Sequence, residues 1–225
     1  MQISRNTSVI YGALLLAAIV SGILSSVPMI EESDYLQQLH ANEPSVLMGV
    51  FFQALMAIIY VLIIVVTYPI VRMYRQKSAL AYLIFRSIGA VFLFVGIATL
   101  LLFLPLGREF VVADATQVAF LETIGFMLRQ VRDWLNHIGM ILPWSIGGIF
   151  LYWAFFKTGL IPRWLSVWGL IGAVLTLFVT IFFMLDQIKL VSVAYFALNT
   201  PTALFEITLA VYLIIKGFRQ VEDAA

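Results

Sequence analysis

Long apolar runs separated by short polar breaks make up almost the whole chain. They cover residues 7–27, 46–71, 79–104, 137–156, 164–185 and 190–215. Each matches or exceeds the roughly 20 apolar residues with which an α-helix crosses the hydrocarbon of a bilayer. The breaks carry turn and charge signals: Pro28 after the first run, Arg72, Arg75 and Lys77 after the second, and Pro105 and Gly107 after the third. Lys157, Gly159 and the Ile161-Pro162-Arg163 turn close the fourth run, and Asp186, Gln187 and Lys189 the fifth. The last run is long and contains Pro201, which predicts one helix bent by the proline. The pattern therefore predicts an all-α fold, a polytopic transmembrane bundle of about six spans forming one integral membrane domain over 1–225.

Two segments depart from the pattern. Residues 31–43 are polar, with Leu36 and Leu39 giving only a weak helical face, and Asn42 and Ser45 suit the cap of the helix after Pro44. Residues 115–136 place Glu122, Arg129, Arg132 and Asp133 among Phe120, Ile124, Phe126, Met127 and Val131. That mixture predicts an amphipathic helix at the interface, or projecting beyond it, ahead of the fourth span.

Composition agrees with lipid as the solvent. Apolar residues make up 63% of the chain and charged residues 11%, with a mean hydropathy of +1.04; a soluble domain is about a quarter charged. After six spans little length remains for an extramembrane domain. Cysteine is absent, which excludes disulfides, thiolate metal sites and cysteine nucleophiles. A net charge of +1 with scattered basic residues gives no reason to expect nucleic acid. Arg5, the run from Val9 to Val20 and the small residues Ser21, Gly22, Ser25 and Ser26 have the form of a signal peptide; the expectation is a retained first span.

Lysine and arginine set the expected orientation. With the N-terminus inside, Arg5, Arg72, Arg75, Lys77, Lys157, Arg163, Lys216 and Arg219 face the cytoplasm, and Arg108 and Lys189 face outward, joined by Arg129 and Arg132 if these lie outside the core. Both termini are expected in the cytoplasm, and the location a bacterial inner membrane.

Ionisable groups within spans are costly and mark candidate sites. Arg86 and Glu206 lie at similar depth, nine residues beyond Lys77 and ten before Lys216. An ion pair between them would offset much of the cost, pinning the third helix to the sixth or serving a substrate or proton. A second group lies ahead of the fourth span. Glu122, Arg129, Asp133 and His137, at offsets of seven, four and four, share one helix face, which Phe126, Met140 and Trp144 extend. Asp133 and His137 are spaced to share a metal, with His40 as a further ligand, but such pairs are common on solvated faces and no metal is expected. Gly147 and Gly148 read as helix-packing positions, and Trp144, Trp153, Trp164 and Trp168 as interface anchors. No phosphate loop, metalloprotease pair or nucleophile elbow is present.

The segments His137-Ile138-Gly139, Gly147-Gly148, Lys157-Thr158-Gly159-Leu160-Ile161-Pro162-Arg163-Trp164-Leu165 and Gly169 resemble a bacterial family of uncharacterised multi-pass membrane proteins, domain of unknown function 4386. Phe85-Arg86, Pro201 with Leu204-Phe205-Glu206, and Lys216-Gly217-Phe218 are similar to it as well. The resemblance implies fold and topology rather than activity, and implies that Arg86, His137 and Glu206 are positions typical of the family. The expected role is a membrane-embedded bundle that interacts with lipid or protein. The alternatives are a small transporter or proton-linked carrier using Arg86 and Glu206, and an outer-face enzyme at Asp133 and His137. Binding is favoured over catalysis, at Arg86, Glu206, Asp133 and His137. No cofactor is expected. The expected partners are membrane lipids and a small-molecule or lipid ligand.

Overall fold

The computed structural model describes residues 3–190 and 192–220. Six helical segments in it are long and apolar enough to cross a membrane, the third running Gln76–Val112 and the fourth Ala115–Thr158; they contain α1 (Arg5–Leu24), α3 (Glu43–Tyr74), α4 (Gln76–Leu101), α7 (Leu142–Thr158), α8 (Arg163–Met184) and α9 (Val193–Ile215). Three more complete the fold: the short α2 (Tyr35–Leu39), α5 (Phe103–Val112) and α6 (Ala115–Trp134). Consecutive spans are neighbours, and the circle closes: α1 packs on α3, α3 on α4, α4 on α7, α7 on α8, α8 on α9, and α9 on α1.

Side chains are sorted as lipid demands, because a bilayer offers hydrophobic groups no penalty and polar ones no partner. Val65, Val91, Ile171 and Phe178 are exposed on the outside, whereas Gln53, Thr67, Arg86, Ser166 and Thr180 are buried within. A large core formed by Tyr11, Ile63, Tyr82, Leu151, Phe155 and Phe205 fills the half of the ring nearer the termini.

The start of α1 and the end of α9 lie at that same end, locked together. Arg5 donates to the carbonyls of Leu213 (3.1 Å) and Ile215 (2.8 Å), and also to that of Ile214. Arg5 thus caps the last turn of α9, where intrahelical donors run out; the Leu213 carbonyl also accepts from the Gly217 N–H (3.1 Å). Gly217 takes φ +77°, which swings the chain back so that the Phe218 ring stacks on Tyr11 and meets Phe155. The Arg219 N–H then donates to the carbonyl of Leu160 in the α7–α8 turn. Gly159, at φ +70°, supplies the left-handed end of α7 that this turn needs. The Lys-Gly-Phe and Gly-Leu-Ile-Pro-Arg segments thus form one clamp.

The far end, which carries the longer loops, differs from the expectation in two ways. Pro105 does not stop the third run; the helix pauses at Leu102 and restarts as α5, with Pro105 in the first turn, where a missing N–H costs nothing. Residues 31–43 are no loose loop either. Leu36 and Leu39 are buried with Ile30, Val46, Leu100 and Phe103, and so plug this end with a second core. Glu43 ties the plug down. Arg108 donates to both of its carboxylate oxygens (2.8 and 2.7 Å), and His40 Nδ1 lies 3.0 Å away.

α6 starts at a capping box in which Asp114 accepts from the N–H groups of Thr116 and Gln117. It continues through a π-helical stretch, Leu135–Ile141, into α7. The whole is 44 residues long, or about 66 Å at 1.5 Å per residue, roughly twice the ~30 Å of a bilayer's hydrocarbon core. α9 is one helix containing Pro201, as expected.

Hydrogen bonds from Arg108 and His40 hold the Glu43 carboxyl down at about 2, below its ordinary 4.5. A carboxylate with a depressed folded-state pKa stabilises the fold above its unfolded value, and that contribution fades as pH falls towards the folded one. Wild type should therefore melt above Glu43→Gln at neutral pH. The gap should close as pH is lowered through 4 towards 2, measured by thermal unfolding in detergent.

Candidate functional site

Arg86 is the most deeply buried charge in the bundle, 4% exposed. The α7 backbone makes room for it. A methyl group at Gly147 would lie 2.9 Å from its Cγ, and one at Gly148 would lie 3.2 Å from the guanidinium. The two glycines therefore serve as a notch for one side chain, where the sequence suggested general helix packing. The guanidinium sits over the Trp144 ring at 3.5 Å and is 5.8 Å from that of Tyr82. A cation held against an indole in a desolvated place gains about 2 kcal/mol. Trp144 in turn packs on Tyr60, with ring centroids 3.9 Å apart, so it is no interface anchor. Tyr152 accepts the one hydrogen bond from Arg86, at 3.5 Å, and Nε has no partner.

The expected Arg86–Glu206 ion pair does not form; among the described residues, the ion pairs lie elsewhere. Glu206 is half-buried, faces the Trp144 side chain and lies within electrostatic reach of Arg86. Equal depth was legible in the sequence. That an indole would stand where the carboxylate was expected was not.

The second site is a cavity of about 350 Å³ toward the loop end, lined by Gln53, Arg132, Asp133, Asn136, His137 and Tyr195. Its position follows from the π-helical stretch, whose wider turn places Asn136, His137 and Met140 on the cavity wall. π-turns within α-helices occur frequently at functional sites. His137 is 6% exposed. Its ring is 4.5 Å from that of Phe183 and 5.5 Å from that of Tyr195, and Nδ1 has no partner. Arg132 reaches Glu31, also on the wall, at 3.0 Å and Asp133 at 3.8 Å, with its Nε unpartnered. Gln53 donates to the Leu93 carbonyl (3.2 Å) and occupies the space left by the missing side chain of Gly96.

The proposed four-residue face is divided. Asp133 and His137 line this cavity, whereas Glu122 and Arg129 line a smaller one of about 210 Å³ beneath α2. Arg129 is held there by the Ile30 carbonyl (3.4 Å) and lies 5.2 Å from the Tyr35 ring. His40, engaged with Glu43, is not joined to His137, and among the described residues no three His, Asp or Glu side chains converge as a metal site. Sequence reading also missed Gln53, Asn136 and Tyr195; a lone polar residue within an apolar run is the signal that marks Gln53 and Asn136.

The two sites are stacked. Met56, Leu93 and Met140 line the cavity and pack with Ala57 and Tyr60 as its apolar floor. On α4, Arg86 lies seven residues from Leu93, roughly 10 Å further in. On the outer side of the π-helical stretch, Phe85, Phe92, Trp134, Ile138 and Leu142 line an apolar groove of about 410 Å³.

A closed ring of six apolar helices with polar groups sorted inward defines a multi-pass integral membrane protein. The chain belongs to the family described as Domain of unknown function (DUF4386), whose profile matches residues 10–217. No curated protein and no solved structure matches.

Filling the notch tests how Arg86 is held. Gly148→Leu should cost about 1–3 kcal/mol, as overpacking does, measured by reversible unfolding in detergent. Combined with Arg86→Leu, it should cost clearly less than the two single effects added.

Proposed function

We propose that this membrane protein binds a small polar molecule in the loop-end cavity, with Asp133 and His137 in its wall. The observation that carries the reading is His137 itself: buried on the wall of a polar cavity, on a π-helical stretch, with a ring nitrogen that no protein group uses. A buried polar atom without a partner costs about 1–3 kcal/mol, and a ligand atom or a water removes that cost. The volume of about 350 Å³ falls in the usual range for small-molecule sites, roughly 300–1,000 Å³. The lining offers donors and acceptors on Arg132, Asp133, Asn136, His137 and Tyr195, enough to orient a ligand as well as to hold it.

The apolar groove behind the same helix suits the acyl chains of surrounding lipid, so lipids are partners at the outer surface. The excess of lysine and arginine at the termini end supports a cytoplasmic location for both termini in a bacterial inner membrane. The cavity then faces outward.

The native chain has no cysteine, which makes thiol labelling clean. Asn136→Cys should react with a membrane-impermeant thiol reagent added from outside, and Ala154→Cys, fully buried in the core, should not. Thermal-shift screening of small polar compounds on wild type and His137→Phe in parallel should find compounds that stabilise only the wild type. Labelling of Asn136→Cys as slow as that of Ala154→Cys would contradict the reading.

A further inference from the structure

Around Arg86 the polar groups are a guanidinium and hydroxyls, each with an N–H or O–H to donate, and several are idle. Arg86 Nε, the Tyr82 hydroxyl and the Thr67 hydroxyl are buried without a partner. Thr67 stands beside the phenols of both Tyr11 and Tyr82. Tyr152 accepts the single long bond from the guanidinium, at 3.5 Å. Tyr11, Tyr82 and Tyr152 all lie within electrostatic reach of Arg86 and of one another. The group is therefore one cation and four hydroxyls in the interior of a membrane bundle. The Glu206 carboxylate, within electrostatic reach, makes no ion pair with the guanidinium.

Two physical demands follow. A buried charge is stable only when paired and hydrogen-bonded. The Trp144 ring shields one face of the guanidinium but accepts none of its in-plane N–H bonds. Those bonds call for an acceptor, and charge neutrality calls for a negative one.

We propose that Arg86, with the hydroxyls of Tyr82, Tyr152 and Thr67, binds a small monovalent anion, a halide or a small carboxylate, at a site separate from the loop-end cavity. Monovalency follows from the single cation, since a second negative charge would lie uncompensated in low dielectric. Small size follows from the surroundings: the glycine notch, the Trp144 indole and the phenol rings enclose the guanidinium. The free guanidinium edge suits a planar carboxylate, which it can meet with two parallel bonds, and a halide can accept from the same N–H groups. Glu206 acts as a built-in competitor, because its carboxylate stands within the field of the same cation.

The test is thermal unfolding of the full-length protein in detergent, titrated with sodium chloride or sodium formate at constant ionic strength, with sodium gluconate as the balancing salt. Wild type should gain stability along a saturating curve with chloride or formate, and sodium sulfate should give no such saturation. Tyr82→Phe keeps the ring that fills the core and removes one donor. It should weaken the apparent affinity by roughly tenfold, the loss expected for one hydrogen bond to a charged group. Glu206→Gln removes the competitor and should tighten it. A preference for chloride over formate, or the reverse, identifies which of the two chemistries the site favours. Wild-type melting that is flat in both anions would overturn the proposal, as would a Glu206→Gln protein that loses its response to them. The Asn136→Cys labelling reports on the other cavity and is independent of this outcome.

Discussion

The packing of the bundle's centre depends on how one arginine is kept away from water. A guanidinium inside a membrane protein needs neutralising contacts from every side, and the six helices supply them unequally. α7 contributes an aromatic face, Trp144, and withdraws its own side chains at Gly147 and Gly148. α4 contributes Tyr82, four residues before the arginine on the same helix. α3 contributes Tyr60, which backs the indole. α9 presents Glu206 at a distance rather than in contact. Replacing the indole or filling the notch therefore disturbs four helices at once, which gives this point more influence over the packing than any single apolar contact has.

That constraint divides the interior into two compartments. Nearer the termini, the ring is filled with aromatic and branched side chains, and the clamp through Arg5, Phe218 and Arg219 shuts it. Nearer the loops, the bundle leaves a polar cavity floored by Met56, Leu93 and Met140. Methionine is unbranched and flexible, and it repacks at little cost. A floor of that kind can separate a cavity open to water from a buried cation and still yield when one of them is occupied. The π-helical stretch sits at the level of the cavity and gives the fourth span a local change of winding that none of the other five spans has among the described residues.

The architecture could be read from the chain because lipid imposes one strong rule, runs of about 20 apolar residues, and the six runs obey it. Turn chemistry was legible for the same reason: Gly159 and Pro162 end and start helices through local geometry alone. Where tertiary packing decides, the pattern was silent. Pro105 opens a helix rather than closing one, because the plug under Leu36 and Leu39 supports α5 from below. The family-like Lys-Gly-Phe and Gly-Leu-Ile-Pro-Arg segments looked like signatures of unknown purpose and prove to be halves of one structural clamp. Of the candidate site, the choice of Arg86, Glu206, Asp133 and His137 was available from polarity against an apolar background. The partner of Arg86 was not, since a tryptophan in an apolar helix carries no mark that says whether it faces lipid or a cation.

A double-mutant cycle on Arg86 tests the central claim most directly. Unfolding free energies of Arg86→Gln, Trp144→Leu and the double variant, set beside the same cycle with Glu206→Gln, measure which neighbour the arginine is coupled to. A coupling of about 1–2 kcal/mol between Arg86 and Trp144, larger than that between Arg86 and Glu206, is the predicted result. A strong coupling to Glu206 with none to Trp144 would contradict it.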